Sequence, residues 1–209
     1  MKIISHRGYW KSSDKKNSIK SFFRSFDLGF GTETDIRDYN GKLVISHDIP
    51  IGNEIVFLDF LELVASFDNS EHLTLALNIK SDGLASHLLD CIKRFPTLDY
   101  FVFDMSVPDM ANYINTGIPT FTRVSEVEQS PVWLDQSSGI WLDAFYSDWY
   151  SLDFLEGILK TCERVCIVSP ELHARDYMPL WSRLNNLKQF DNLLLCTDRP
   201  EEASHFFNG

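Results

Sequence analysis

Two carboxylates, Glu33 and Asp35, stand two residues apart in the segment TETDIRDY at 32–39. Alternate residues of a strand share a face, so both side chains point to one side, about 6–7 Å apart along the backbone. Two acids aimed inward repel, and a divalent cation such as Mg²⁺ or Ca²⁺, which takes oxygen ligands, relieves that repulsion. On an exposed strand the same pair lies partly in solvent, or one acid pairs with Arg37. Asn78 and Lys80 repeat the spacing at the end of TLALNI (74–79). There they offer a neutral oxygen to a cation and a positive charge to a phosphate, unless the strand end frays into water. His6 and His47 close two other segments, a short apolar start and the return of a hairpin. A lone histidine is most often structural. Two imidazoles of near-neutral pKa at one rim suit in-line displacement at phosphorus, one removing a proton and the other protonating the leaving oxygen. A further acid and imidazole, Glu171 and His173, lie in SPELHARD, either as solvated loop residues or as contacts to substrate or metal.

Such residues act together only if the elements carrying them end at one place. Short β-branched or aromatic runs alternate with longer amphipathic segments, the pattern of a parallel sheet with helical crossovers. The runs are 2–5, 32–39 with a hairpin return at 42–47, 74–79, 100–105, 119–124, 139–144, 164–169 and 192–197. With the return counted as part of the second unit, eight strands remain. Helices are expected over 18–28, 58–67, 84–95, 152–162, 178–187 and 201–207. Asn40–Gly41 marks the tight turn of the hairpin. Eight β/α units favour a closed (β/α)8 TIM barrel over an open sheet, built as one domain over 1–209. Strand C-terminal ends in such a barrel converge on one mouth. Polar residues fall there repeatedly: His6, Arg7, Glu33, Asp35, His47, Asp48, Asn78, Lys80, Asp104, Arg123, Asp143, Ser169 and Asp198.

A net charge of -11 over 209 residues argues against general binding to nucleic acid or to an anionic membrane surface. A phosphate-bearing substrate then needs a local positive site. The start MKIISHRG lacks the apolar stretch of a secretory signal, and no window approaches the length of a membrane span, so a soluble cytoplasmic protein without stable membrane insertion is expected. Cys91, Cys162, Cys166 and Cys196 have no metal or redox spacing and read as reduced thiols.

The sequence resembles the glycerophosphodiester phosphodiesterases, within the phosphatidylinositol-phospholipase-C-like barrels. The resemblance rests on His6-Arg7-Gly8, Asn17-Ser18 opening a helix, Glu33-x-Asp35, His47-Asp48 after Asn40-Gly41, Ile79-Lys80 and the terminal Thr197-Asp198-Arg199-Pro200. It implies a metal-dependent phosphodiester hydrolase acting on a small phosphodiester. His6 and His47 would be its acid/base pair, Glu33 and Asp35 ligands of a divalent cation, Mg²⁺ or Ca²⁺, and Arg7 and Lys80 its phosphate contacts. Lys16 stands where the family usually has glutamate, and Asn78 where it has a third metal-binding glutamate. The small subdomain that the family commonly inserts after the histidine-aspartate pair is short or absent. A competing expectation follows from the two lost carboxylates: a catalytically impaired barrel that binds a phosphorylated ligand.

Overall fold

The computed structural model describes residues 1–209. The chain divides into two compact units, Ser5–Thr120 and Met1–Ile4 with Phe121–Gly209. The first strand, β1 (Lys2–His6), runs through the boundary.

In the unit Ser5–Thr120 the central strand is β2 (Gly31–Tyr39), which pairs with β1 and, along its length, with two further strands. Its first half pairs in parallel with β5 (Leu75–Ile79), and its second half pairs antiparallel with β3 (Lys42–Ile45). Asn40 and Gly41, at φ 48° and 75°, form the turn between β2 and β3. Left-handed backbone at both turn positions matches the twist of a hairpin, which is why Asn-Gly is favoured there. β3 also pairs with β4 (Ile55–Val56), a two-residue strand too short to be anticipated. Only residues 46–56, this strand included, separate β3 from the next helix, so the insertion after the hairpin is short, as expected. β5 pairs in parallel with β6 (Tyr100–Phe103), and Val102 of β6 bridges to Thr120.

Four helices cover this sheet: α1 (Ile19–Asp27), α2 (Phe57–Ala65), α3 (Ala85–Ile92) and α4 (Val107–Asn115). α1 starts at Ser18, whose side chain accepts from Ser21 N–H while Ser21 Oγ accepts from Ser18 N–H. That reciprocal cap satisfies two amides that the first turn leaves unpaired. Phe22 and Phe26 of α1 pack against Phe60 of α2, with Phe22 and Phe60 ring centroids 4.8 Å apart and edge-on. Each such buried ring contributes roughly 2–3 kcal/mol. α4 was not anticipated, because only Asp109, Met110 and Tyr113 of its nine residues are buried and the periodic signal is thin. Its sequence mark is local, the cap of Ser106 on Asp109 N–H with Pro108 in the first turn.

The other unit begins with β1 beside β10 (Leu193–Thr197), followed in order by β9 (Val165–Val168), β8 (Gly139–Leu142) and β7 (Phe121–Val124). The pairs from β10 to β7 are all parallel. α5 (Leu152–Thr161), α6 (Met178–Leu184) and α7 (Pro200–Asn208) complete the crossovers. Gly139 has a backbone reason: a Cβ there would stand 2.6 Å from both Arg164 O and the Phe121 ring. All four cysteines are free thiols. No helix is long and apolar enough to cross a membrane.

Candidate active site

β1 ends at His6, and the next two residues turn with φ of 56° at Arg7 and 78° at Gly8. A left-handed conformation at arginine costs about 1–2 kcal/mol and persists only where neighbours fix it. Arg7 N–H donates to Glu33 O at 2.9 Å and lies 3.2 Å from Glu33 Oε2, and Arg7 O accepts from Asn17 N–H at 2.9 Å. Gly8 N–H donates to Thr32 Oγ1 at 2.9 Å. A Cβ at position 8 would meet Ser21 Oγ at 2.5 Å, so the helix start and the turn leave room for glycine alone.

Both acids of β2 face inward, Glu33 at 2% and Asp35 at 0% exposure. Arg37 does not pair with either; its Nε donates to His47 O at 3.2 Å. Asp35 is instead held from three directions. Its Oδ2 receives Asn17 Nδ2 at 2.9 Å and faces Arg7 Nε at 3.0 Å, and its Oδ1 faces Lys80 Nζ at 3.5 Å. Asn17, at φ 52°, also accepts from Thr34 Oγ1 at 2.9 Å, so its amide is oriented at both ends. Glu33 Oε2 lies 3.9 Å from His6 Nε2. Burial pushes the Glu33 carboxyl well above the usual range, the Asp35 charge adds to the shift, and Arg7 and Lys80 oppose it.

Asn78 sits directly beside Asp35 in the β2–β5 register and is 7% exposed. Its Nδ2 donates to Asp104 Oδ2 at 3.3 Å, while its Oδ1 is buried without a partner. An unpaired buried amide oxygen costs on the order of 1–3 kcal/mol. Lys80 follows the end of β5, anchored by its N–H to Ile36 O at 3.0 Å. His6, Arg7, Glu33, Asp35, Asn78 and Lys80 are thus linked through ion pairs, hydrogen bonds and strand register. Asn17 joins them from the loop before α1. No three His, Cys, Asp or Glu side chains are placed to hold a metal ion. Asn78 stands beside Asp35 in the strand register, and its orphaned amide oxygen with the two carboxylates makes an all-oxygen donor set of the kind that Mg²⁺ or Ca²⁺ takes.

His47 is placed differently. β3 stops at Ile45, so His47 lies in the bend beyond the hairpin, with its side chain 46% exposed against 14% for His6. Its Nδ1 meets Asp48 Oδ1 at 2.8 Å, and the bend is tied to β2 by Ser46 N–H donating to Asp35 O at 3.0 Å.

Glu171 and His173 lie in the other unit, in the turn after β9. Glu171 accepts from Thr197 Oγ1, Ser169 Oγ and, at 3.1 Å, Asp198 N–H, which ties the end of β9 to the end of β10. Trp181 Nε1 donates to the same Ser169 Oγ at 2.9 Å. His173 Nε2 is 2.7 Å from Asp143 Oδ1, with its ring edge-on to Phe145. Sequence reasoning placed Asp104 and Asp143 at strand ends without foreseeing their partners. It noted Asn17 as a helix opener and not as a partner of Asp35.

No protein-family model matches this sequence, and no curated protein matches it. Solved structures do. The crystal structure of a glycerophosphodiester phosphodiesterase from Parabacteroides distasonis aligns over 99% of this chain and 96% of its own at 19% identity and TM-score 0.74. One from Agrobacterium tumefaciens aligns over 100% of both chains at 14% identity and TM-score 0.74. A glycerophosphoryl diester phosphodiesterase from Parabacteroides distasonis aligns over 99% of this chain and 86% of its own at 12% identity and TM-score 0.56. The likeness shows the fold, and with eight crossover strands and one added hairpin the chain has the (β/α)8 barrel of glycerophosphodiester phosphodiesterases of known structure.

Proposed function

We propose that this protein is a phosphodiester hydrolase whose substrate is a glycerophosphodiester or a related small polar phosphodiester. The observation that carries the reading is the Asp35 carboxylate held between Arg7 and Lys80, with Glu33 and His6 beside it. In a chain of net charge -11, two cations close to one buried acid support the reading of a local phosphate site. The fold shared with phosphodiesterases of known structure supports the same reading.

In the reaction that follows, Arg7 and Lys80 hold the phosphate oxygens. His6 accepts the proton of a neighbouring substrate hydroxyl as its oxygen bonds to phosphorus. His47 protonates the departing alcohol oxygen as the bond from phosphorus to that oxygen breaks. The product is a cyclic phosphate, and water opens it with the two proton transfers reversed. Glu33, 3.9 Å from His6, would stabilise the imidazolium that forms there when a bound cation keeps its carboxyl ionised. Glu33, Asp35 and Asn78 Oδ1 are the groups that would hold a divalent cation, which when bound neutralises charge on the phosphoryl oxygens.

The test is a panel of glycerophosphodiesters and other small phosphodiesters with Mg²⁺, Ca²⁺ or Mn²⁺, reading release of alcohol and phosphomonoester. Release of both is expected for at least one substrate and cation. A protein that binds phosphodiesters or phosphomonoesters and releases nothing is instead a binding barrel, the reading that Lys16 and Asn78 favour.

A further inference from the structure

The amide of Asn78 has its two ends in different circumstances, and Asp104 is the cause. β6 ends at Phe103, the register partner of Asn78, and Asp104 follows with φ 66°. That turn sets its carboxylate against Asn78, whose Nδ2 donates to Asp104 Oδ2 at 3.3 Å. With its NH₂ donating to the Asp104 carboxylate, the amide carries its oxygen away from Asp104. That oxygen is buried without a partner in a residue only 7% exposed, directly beside Asp35 in the strand register.

We propose that Asp104 is a positioning residue for the cation: by fixing the Asn78 amide it commits Oδ1 to a divalent ion shared with Glu33 and Asp35. The inference rests on the cation reading given above. A glutamate at this strand needs no such device, because either of its oxygens can coordinate. An amide has one ligating end, and in the wrong orientation it offers protons to the ion. Asp104 thus makes a neutral residue usable where the resembled family has an acid, and the hydrogen bond reaches across to the next strand to do so. Partners that orient a metal ligand typically change metal affinity about 10–100-fold when removed.

The experiment is calorimetric titration of Mg²⁺ and Ca²⁺ into the full chain and its variants, with circular dichroism as the folding control. Asp104→Gly removes the carboxylate at a position whose left-handed backbone glycine adopts without strain. It is expected to weaken cation binding about tenfold or more. Asn78→Ala is expected to weaken it similarly, and the double variant Asn78→Ala/Asp104→Gly no further, since Asp104 acts through the amide. Asn78→Asp in the Asp104→Gly background should restore binding, because a carboxylate needs no orienting partner. Unchanged affinity in folded Asp104→Gly overturns the inference, as does an equal loss on adding Asp104→Gly to Asn78→Ala. A wild-type protein that takes up neither cation overturns it together with the metal part of the proposed function. Hydrolysis in the substrate panel is read separately.

Discussion

Asn17 reaches from the loop before α1 to Asp35 in the middle of β2, donating Nδ2 to Oδ2 at 2.9 Å while its own oxygen accepts from Thr34 Oγ1. One amide therefore holds a buried acid and fixes the entry of α1 above it. Asn17→Ala leaves the Thr34 hydroxyl and one Asp35 oxygen short of a partner and puts alanine in a left-handed conformation at φ 52°. A loss of about 2–4 kcal/mol in unfolding free energy is expected. Asn17→Gly removes the backbone strain and not the lost hydrogen bonds, so its stability should fall between the two in denaturant titration.

Gly8→Ala is expected to be more damaging than its size suggests. The new methyl group meets Ser21 Oγ at 2.5 Å and the Ser21 backbone carbon at 2.9 Å, at a φ of 78° that disfavours any side chain. Overpacking and backbone strain together cost about 2–5 kcal/mol. Thermal denaturation checks this, and a midpoint equal to wild type would mean that the turn after β1 can relax away from α1.

His6→Ala and His47→Ala should each lower hydrolysis by about two to four orders of magnitude, the scale of a positioned acid or base. The folding cost should be small for His47, which is half-exposed. Steady-state rates with circular dichroism separate the effects. Near wild-type turnover in either variant removes that histidine from the reaction.

Chelator should abolish activity, and Asn78→Glu should tighten Mg²⁺ and Ca²⁺ binding, since a charged oxygen replaces a neutral one beside Glu33 and Asp35. Turnover at saturating cation should change by less than about tenfold, or ~1.4 kcal/mol in barrier. Full turnover in metal-free buffer would remove the cation from the mechanism.

Glu33 gives a pH dependence of definite sign. Its carboxyl is raised in the folded protein by burial and by Asp35, so the unfolded chain releases this proton at lower pH than the native state does. Between those two pKa values the native state binds more protons, and stability falls as pH rises. In metal-free buffer, Glu33→Gln should therefore gain stability on wild type as pH rises from below the ordinary carboxylate range toward neutrality. Parallel pH profiles of the two proteins would sink the assignment.

Most of the elements, and the shared face of the two acids on β2, were legible in the sequence alone. Alternation of short apolar runs with amphipathic segments gave eight crossover strands, because side-chain period is a property of neighbouring residues. The two-residue spacing of Glu33 and Asp35 put both on one face, and both are buried. Asn40–Gly41 marked its turn because positive φ is a local demand. Where the local signal was thin it failed: α4 buries few residues, β4 has two, and β3 ends before His47. Tertiary structure alone decided which charge meets which. Arg7 and Lys80 lie 28 and 45 residues from Asp35 in the sequence, and only the pairing of β2 with β5 and the turn after β1 bring them to it. The Asn78–Asp104 bond spans 26 residues and depends on strand register and a left-handed turn, which no spacing rule encodes. Strand periodicity says which face a side chain takes, and only the packed sheet says what stands opposite it.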